Sequence, residues 1–134
     1  MSKKLVILCV DDERVVLDSL KSQLKATFGN KYLYETAESA EDALELVEEL
    51  QQEENLNIIL IVSDWLMPGM KGDDFLIEVH HRFPQILKIM LTGQADDTAI
   101  QRAMIQACLH SCLYKPWSEE QLISLVEAAV RQYE

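Results

Sequence analysis

Five polar residues stand directly behind apolar runs. Asp11 and Asp12 follow residues 5–10, Asp64 follows 57–63, Thr92 follows 86–91, and Lys115 follows 111–114. Each is the first or nearly the first polar residue beyond a stretch that reads as a buried strand. Placed together, Asp11, Asp12 and Asp64 would repel one another unless a cation sat among them. Oxygen donors with no His or Cys nearby suit Mg2+ or Mn2+. A metal held by few protein ligands keeps positions open for phosphate oxygens. Lys115 would neutralise a further phosphate oxygen, and Thr92 would hydrogen-bond another. A carboxylate can itself be the nucleophile in phosphoryl transfer. The set therefore reads as an aspartate that takes a phosphoryl group in a Mg2+-dependent, in-line displacement. Any one of these residues alone reads as a cap or a solvated loop residue; their arrival from four separate loops carries the argument.

That arrival requires strands that all end on one edge. Apolar runs at 4–10, 32–37, 57–63, 86–91 and 111–114 read as strands. Between them lie amphipathic helices. Val16, Leu17, Leu20, Leu24 and Phe28 give the stripe of the first, closed by Gly29 and Asn30. Ser39 starts the second, with Asp42 near its positive end and Ala43, Leu44, Val47 and Leu50 as its stripe. A third helix over 73–83 stops at Pro84, and a fourth covers 99–107. Ser118 and Gln121 form a capping box before the last, whose stripe is Leu122, Leu125, Val126 and Val130. The alternation predicts an α/β fold: a five-stranded parallel sheet with helices on both faces and ligands bound at the strand C-termini. Neither a linker nor a repeat interrupts it, so one domain is expected over 1–134.

Composition narrows the function classes. The 134 residues hold 23 acidic and 12 basic side chains, a formal charge of −11, with 49% apolar content. This is a folded globule's composition. The acidity opposes direct nucleic-acid binding and docking on anionic lipid. No apolar run approaches the ~20 residues of a membrane span. Nine acidic residues and no basic one fall between positions 35 and 54, which reads as a solvated helix face. Cys9, Cys108 and Cys112 are too few and too odd for a secreted disulfide scaffold, so a cytoplasmic setting is expected. Cys108, His110 and Cys112 lack a fourth ligand and the spacing of a zinc knuckle. His80 and His81 read as exposed on the third helix.

The runs Val10-Asp11-Asp12-Glu13, Ser63-Asp64-Trp65-Leu66-Met67-Pro68-Gly69-Met70-Lys71-Gly72, Leu91-Thr92-Gly93 and Tyr114-Lys115-Pro116-Trp117, in this order, resemble the receiver domain of two-component response regulators. The resemblance covers residues 5–132. It implies that Asp64 is phosphorylated by a sensor histidine kinase or phosphotransfer protein. It further implies that Asp12, Asp64 and the Leu66 carbonyl ligate Mg2+, with Asp11 acting nearby or through water. Thr92 would bind the phosphoryl group and reorient, and Lys115 would pair with it. The flavodoxin-like strand order 2-1-3-4-5 and a cis peptide before Pro116 are also implied. So is a dimerisation or output surface on the fourth helix, fifth strand and fifth helix, with Gln101, Arg102, Gln106, Glu119 and Glu120 as its exposed part.

Receivers usually carry Tyr or Phe three residues before the lysine, where this chain has Cys112. Tyr114 precedes the lysine directly, and strand alternation is expected to turn it to the other face. Gly93, Gln94 and Trp65 stand where neighbours tune phosphate lifetime in this family. Trp117 reads equally as a binding aromatic or as packing over the last helix. The rival readings fit less well. A Mg2+-dependent phosphatase would need a second acid where Leu66 stands. A flavin protein of this topology would need a phosphate-cradling loop, and Asp11, Asp12 and Glu13 would repel the phosphate. A degenerate receiver would not need the intact acidic set. The chain is thus expected to be a phosphoacceptor and not an enzyme acting on an external substrate.

Overall fold

Strands that are apolar on both sides can be buried only between two layers, and helices with one apolar stripe supply them. The computed structural model describes residues 3–93 and 97–133. In it β1 (Lys4–Val10), β2 (Tyr32–Ala37), β3 (Leu56–Asp64), β4 (Leu87–Thr92) and β5 (Ser111–Tyr114) form one parallel sheet, ordered β2-β1-β3-β4-β5. The helices are α1 (Arg14–Phe28), α2 (Ala40–Gln52), α3 (Gly72–Arg82), α4 (Asp97–Gln106) and α5 (Glu119–Tyr133). The expected strand order and all ten regular elements are present, with boundaries shifted by a residue or two. Gln94, named above beside Thr92, lies outside the described residues.

Two apolar layers cover the sheet. Leu17, Leu20 and Leu24 of α1 and Leu122, Val126 and Val130 of α5 pack on Ile7, Cys9, Val62, Leu91 and Leu113. On the other side, Ala43 and Val47 of α2, Phe75, Leu76 and Val79 of α3, and Ala103 of α4 pack on Val6, Leu8, Ile58, Ile61 and Met90. Helix starts follow the expected caps. Ser39 Oγ accepts the Asp42 N–H at 3.0 Å. Ser118 and Gln121 bond reciprocally, side chain to backbone, at 3.1 and 3.0 Å.

One irregularity matters for function. Val6 pairs with Ile58 but Ile7 pairs with Leu60, so β3 carries an extra residue at Ile59. Ile59 and Leu60, consecutive in sequence, both face the α1–α5 layer. Beyond this bulge Leu60 and Val62 share a layer with Ile7 and Cys9 of β1 and Leu113 of β5. Alternation carried two residues further puts Asp64 in phase with Asp11 and Lys115.

Candidate functional site

Sheet register brings the polar residues to one place. Val10 pairs with Ser63, which sets Asp11 alongside Asp64; Asp64 itself pairs with Leu91, which sets Thr92 alongside Trp65. Backbone bonds extend the ladder past the strand ends. Asp11 N–H donates to Ala37 O at 3.2 Å, Trp65 N–H to Leu91 O at 3.0 Å, and Lys115 N–H to Thr92 O at 2.8 Å. Because Asp64 and Thr92 still pair in this way, they end β3 and β4 instead of opening the loops. The strand ends are thereby fixed before any side chain is considered.

A buried charge cluster occupies this edge. Lys115 Nζ lies 2.9 Å from Asp11 Oδ2 and 3.2 Å from Asp64 Oδ1. The side chains of Asp11, Asp64 and Lys115 are 0%, 6% and 22% exposed. Asp11 Oδ1 also accepts the Glu13 N–H at 2.8 Å. Burial, then the Asp11 charge, pushes the Asp64 carboxyl up to about 6, while Lys115 opposes the rise and Asp12 adds a little to it. Burial draws the Lys115 ammonium down, but its bonds to Asp11 and Asp64 outweigh that and hold it above the ordinary lysine value. Thr92 is buried at the end of β4.

Asp11, Asp12 and Glu13 can each present an oxygen within 4.8 Å of the others, the metal-type cluster found among the described residues. An all-oxygen donor set of this charge fits a hard divalent cation such as Mg2+. Glu13 received no role from the sequence; its place directly after the Asp pair at a strand end was the available signal.

The β3–α3 loop, which carries the exposed Leu66, is held by close backbone packing. Gly72 N–H donates to Trp65 O at 2.8 Å. A Cβ at Gly72 would stand 2.1 Å from the Asp64 carbonyl oxygen, so any other residue displaces the Asp64 backbone. Gly69 adopts φ +80°, the left-handed region. Trp65 Nε1 donates to Asp73 Oδ1 at 3.1 Å, and Arg102 of α4 reaches Asp73 at 3.0 Å and Asp74 at 2.6 Å. Arg102 was expected on the exposed face; it is half-buried and tied to α3 instead.

The model of the response regulator receiver domain family matches residues 7–127. This chain belongs to that family. Among curated relatives, the hydrogenase transcriptional regulatory protein HoxA of Cupriavidus necator is 33% identical over 128 residues, which cover 96% of this chain and 24% of HoxA. The receiver thus spans about a quarter of that relative's length. Two solved receivers match closely. The signal receiver domain of an HD domain-containing protein from Pseudomonas fluorescens Pf-5 superposes with a TM-score of 0.85 at 27% identity, covering 98% of both chains. A CheY-like receiver domain protein from Methanospirillum hungatei JF-1 gives 0.83 at 29% identity, covering 98% of this chain and 97% of that one.

The Lys115–Pro116 peptide is cis. Tyr114 does not turn away from the face of Cys112: residues two apart share a face, the two side chains interact, and both line one groove between β5 and α5. Tyr114 is nevertheless 60% exposed. Trp117 is a packing residue, its Nε1 donating to Gln23 Oε1 of α1 at 2.8 Å. His80 is half-buried, not exposed, and bonds with Lys88, a buried residue that the apolar strand pattern concealed. Among the described residues, no helix is long and apolar enough to cross a membrane.

Proposed function

We propose that this receiver accepts a phosphoryl group on Asp64, with Mg2+, from a sensor histidine kinase or phosphotransfer protein, and that the added charge switches a partner or output surface. The observation that carries this reading is one lysine, Lys115, within 3.2 Å of both Asp11 and Asp64 at the C-terminal edge of the sheet. Asp12, Asp64 and the Leu66 carbonyl would hold Mg2+, or Mn2+ in its place, with Asp11 nearby or through water and Glu13 beside them. The ion would supply charge neutralisation between carboxylates and incoming phosphate.

The residues divide the work. With its carboxyl at about 6, Asp64 is mostly anionic at neutral pH, and its oxygen attacks phosphorus in line with the departing donor nitrogen. Lys115 pairs with a phosphoryl oxygen, and the Thr92 hydroxyl hydrogen-bonds another. That exchange of partners draws Lys115 and Thr92 toward the new group and carries the change into β4 and β5. Met104, Ile105 and Tyr114 are exposed apolar residues on the α4–β5–α5 face, where a second copy or an output domain would dock. The receiver promotes its own phosphorylation and dephosphorylation and has no external substrate. Residues 1–134 are read as one receiver domain, without direct contact to nucleic acid or membrane. Three unpaired thiols suit a cytoplasmic setting.

Incubation with Mg2+ and acetyl phosphate tests the reading. Intact mass should rise by one phosphoryl group, and Asp64→Asn should abolish the increment. A variant that acquires it at the wild-type rate places the acceptor elsewhere.

A further inference from the structure

A second line of titratable groups crosses the sheet's other face, away from the acidic site. Lys88 of β4 is 1% exposed, and its Nζ lies 2.9 Å from His80 Nδ1 of α3. The second ring nitrogen, His80 Nε2, lies 3.5 Å from Sγ of the exposed Cys108, just past α4. Among the described residues no carboxylate neutralises Lys88; the group that opposes the lowering of its pKa by burial is Cys108. A buried ammonium without a counter-anion is costly.

Hydrogen-bond roles along this line follow from chemistry. The Lys88 ammonium can only donate, so His80 Nδ1 accepts. Burial, then Lys88 and His81, lowers the His80 pKa, which keeps the ring neutral with its single proton on Nε2. That N–H points at Cys108 Sγ. A thiolate there gains a donor and, behind it, the counter-charge that Lys88 lacks. The other thiols are unlike it: Cys9 is fully buried and pushed up to about 12, and burial also raises half-buried Cys112.

We propose that Cys108 is a nucleophilic thiol that exchanges with small disulfides, with His80 and Lys88 as its positioning residues. The Cys108 thiolate attacks one sulfur of the disulfide. A Cys108–sulfur bond forms, the original S–S bond breaks, and the second sulfur leaves as a thiolate that takes up the proton Cys108 gave to solvent. Cys108 is oxidised and the leaving sulfur reduced; a free thiol reverses the step. The adduct would follow the end of α4, the helix on which Met104 and Ile105 are exposed. Its turn is tied to the sheet through the His110 N–H to Lys88 O bond of 2.8 Å.

The experiment incubates the whole chain with glutathione disulfide and follows each cysteine by peptide mass spectrometry. Cys108 should be modified first, and Lys88→Met should slow it. Losing the cation behind the His80 donor should leave a net slowing of about threefold. His80→Asn, at a half-buried position, should slow Cys108 similarly without disturbing the β4 layer. Lys88→Arg, which keeps charge and donors, should restore the rate, while Cys112 reacts alike in all variants. Modification of Cys112 ahead of Cys108, an unchanged Cys108 rate in Lys88→Met and His80→Asn, or no recovery in Lys88→Arg overturns the proposal.

Discussion

The Lys115 ammonium lies 3.2 Å from Asp64 Oδ1, joining the end of β5 to the end of β3 across the intervening β4. It reaches Asp11 at the same time, so two nearly buried carboxylates share one cation. Lys115→Met leaves these charges facing each other and should destabilise the metal-free receiver by about 2–3 kcal/mol. Mg2+ should recover part of the loss, and labelling by acetyl phosphate should slow by about tenfold or more. Urea denaturation with and without Mg2+ reads the first effect; an unchanged midpoint would mean the lysine does not hold the pair.

Binding of Mg2+ should be weak and salt-sensitive, because Asp12 and Glu13 are exposed while Asp11 is buried. Trp65 adjoins Asp64, so its fluorescence should report the titration and chelation should reverse it. Asp12→Ala should weaken binding by about tenfold, equivalent to ~1.4 kcal/mol. Equal affinity in wild type and variant would remove Asp12 from the metal site.

The two loop glycines should differ sharply. At Gly72 an added Cβ meets the Asp64 carbonyl at 2.1 Å, backbone that cannot yield without moving Asp64. At Gly69 it meets Glu41 Oε2 at 2.8 Å, the end of a flexible side chain, and the cost comes mainly from φ +80°. Gly69→Ala should cost about 1 kcal/mol, and Gly72→Ala more than about 3 kcal/mol with loss of phosphorylation. Similar costs for the two would show that the Gly72 approach is relaxed at no expense.

Strand ends and helix stripes were legible because burial imposes period and polarity on consecutive residues. Ser118 and Gln121 announced their box, and Asp11, Asp64, Thr92 and Lys115 each ended an apolar run. The Ile59 bulge was not legible: in a strand buried on both faces every residue is apolar, so an extra one leaves no break in the pattern. Yet that bulge sets the phase of Asp64. Lys88, His80 and Cys108 come from three elements, and only tertiary packing makes them neighbours. Arg102 read as exposed because its partners Asp73 and Asp74 lie a whole strand and loop away in sequence.

Lys88 gives a pH signature. Burial lowers its pKa from 10.5 to about 8 in the folded chain. Between those values the unfolded chain binds more protons, so this residue makes stability rise with pH. Below that window burying the ammonium is a full cost, and Lys88→Met should be the more stable protein by about 2 kcal/mol. The gap should shrink as pH rises from 8 toward 10, with His80 and Cys108 as the facing groups. Urea midpoints of both proteins across that range check this, and a constant gap would show that Lys88 keeps its proton.

Asp73 is 7% exposed and accepts from Trp65 Nε1 and from Arg102, which links the residue after Asp64 to α4. Among the described residues, Arg102→Ala leaves the indole as the side-chain donor to the buried carboxylate. Because Arg102 is 40% exposed, water replaces part of what it supplied, and the cost should be about 1 kcal/mol. The local effect should be clearer than the global one. With Trp117 replaced by Phe to leave Trp65 as the reporter, emission should shift to the red as the indole loosens. Arg102→Lys should recover less than half the shift, since an ammonium cannot hold Asp73 and Asp74 with a planar fork. Emission that stays fixed in Arg102→Ala would show that Asp73 holds Trp65 without help from α4, and the link from Asp64 to α4 would then run elsewhere.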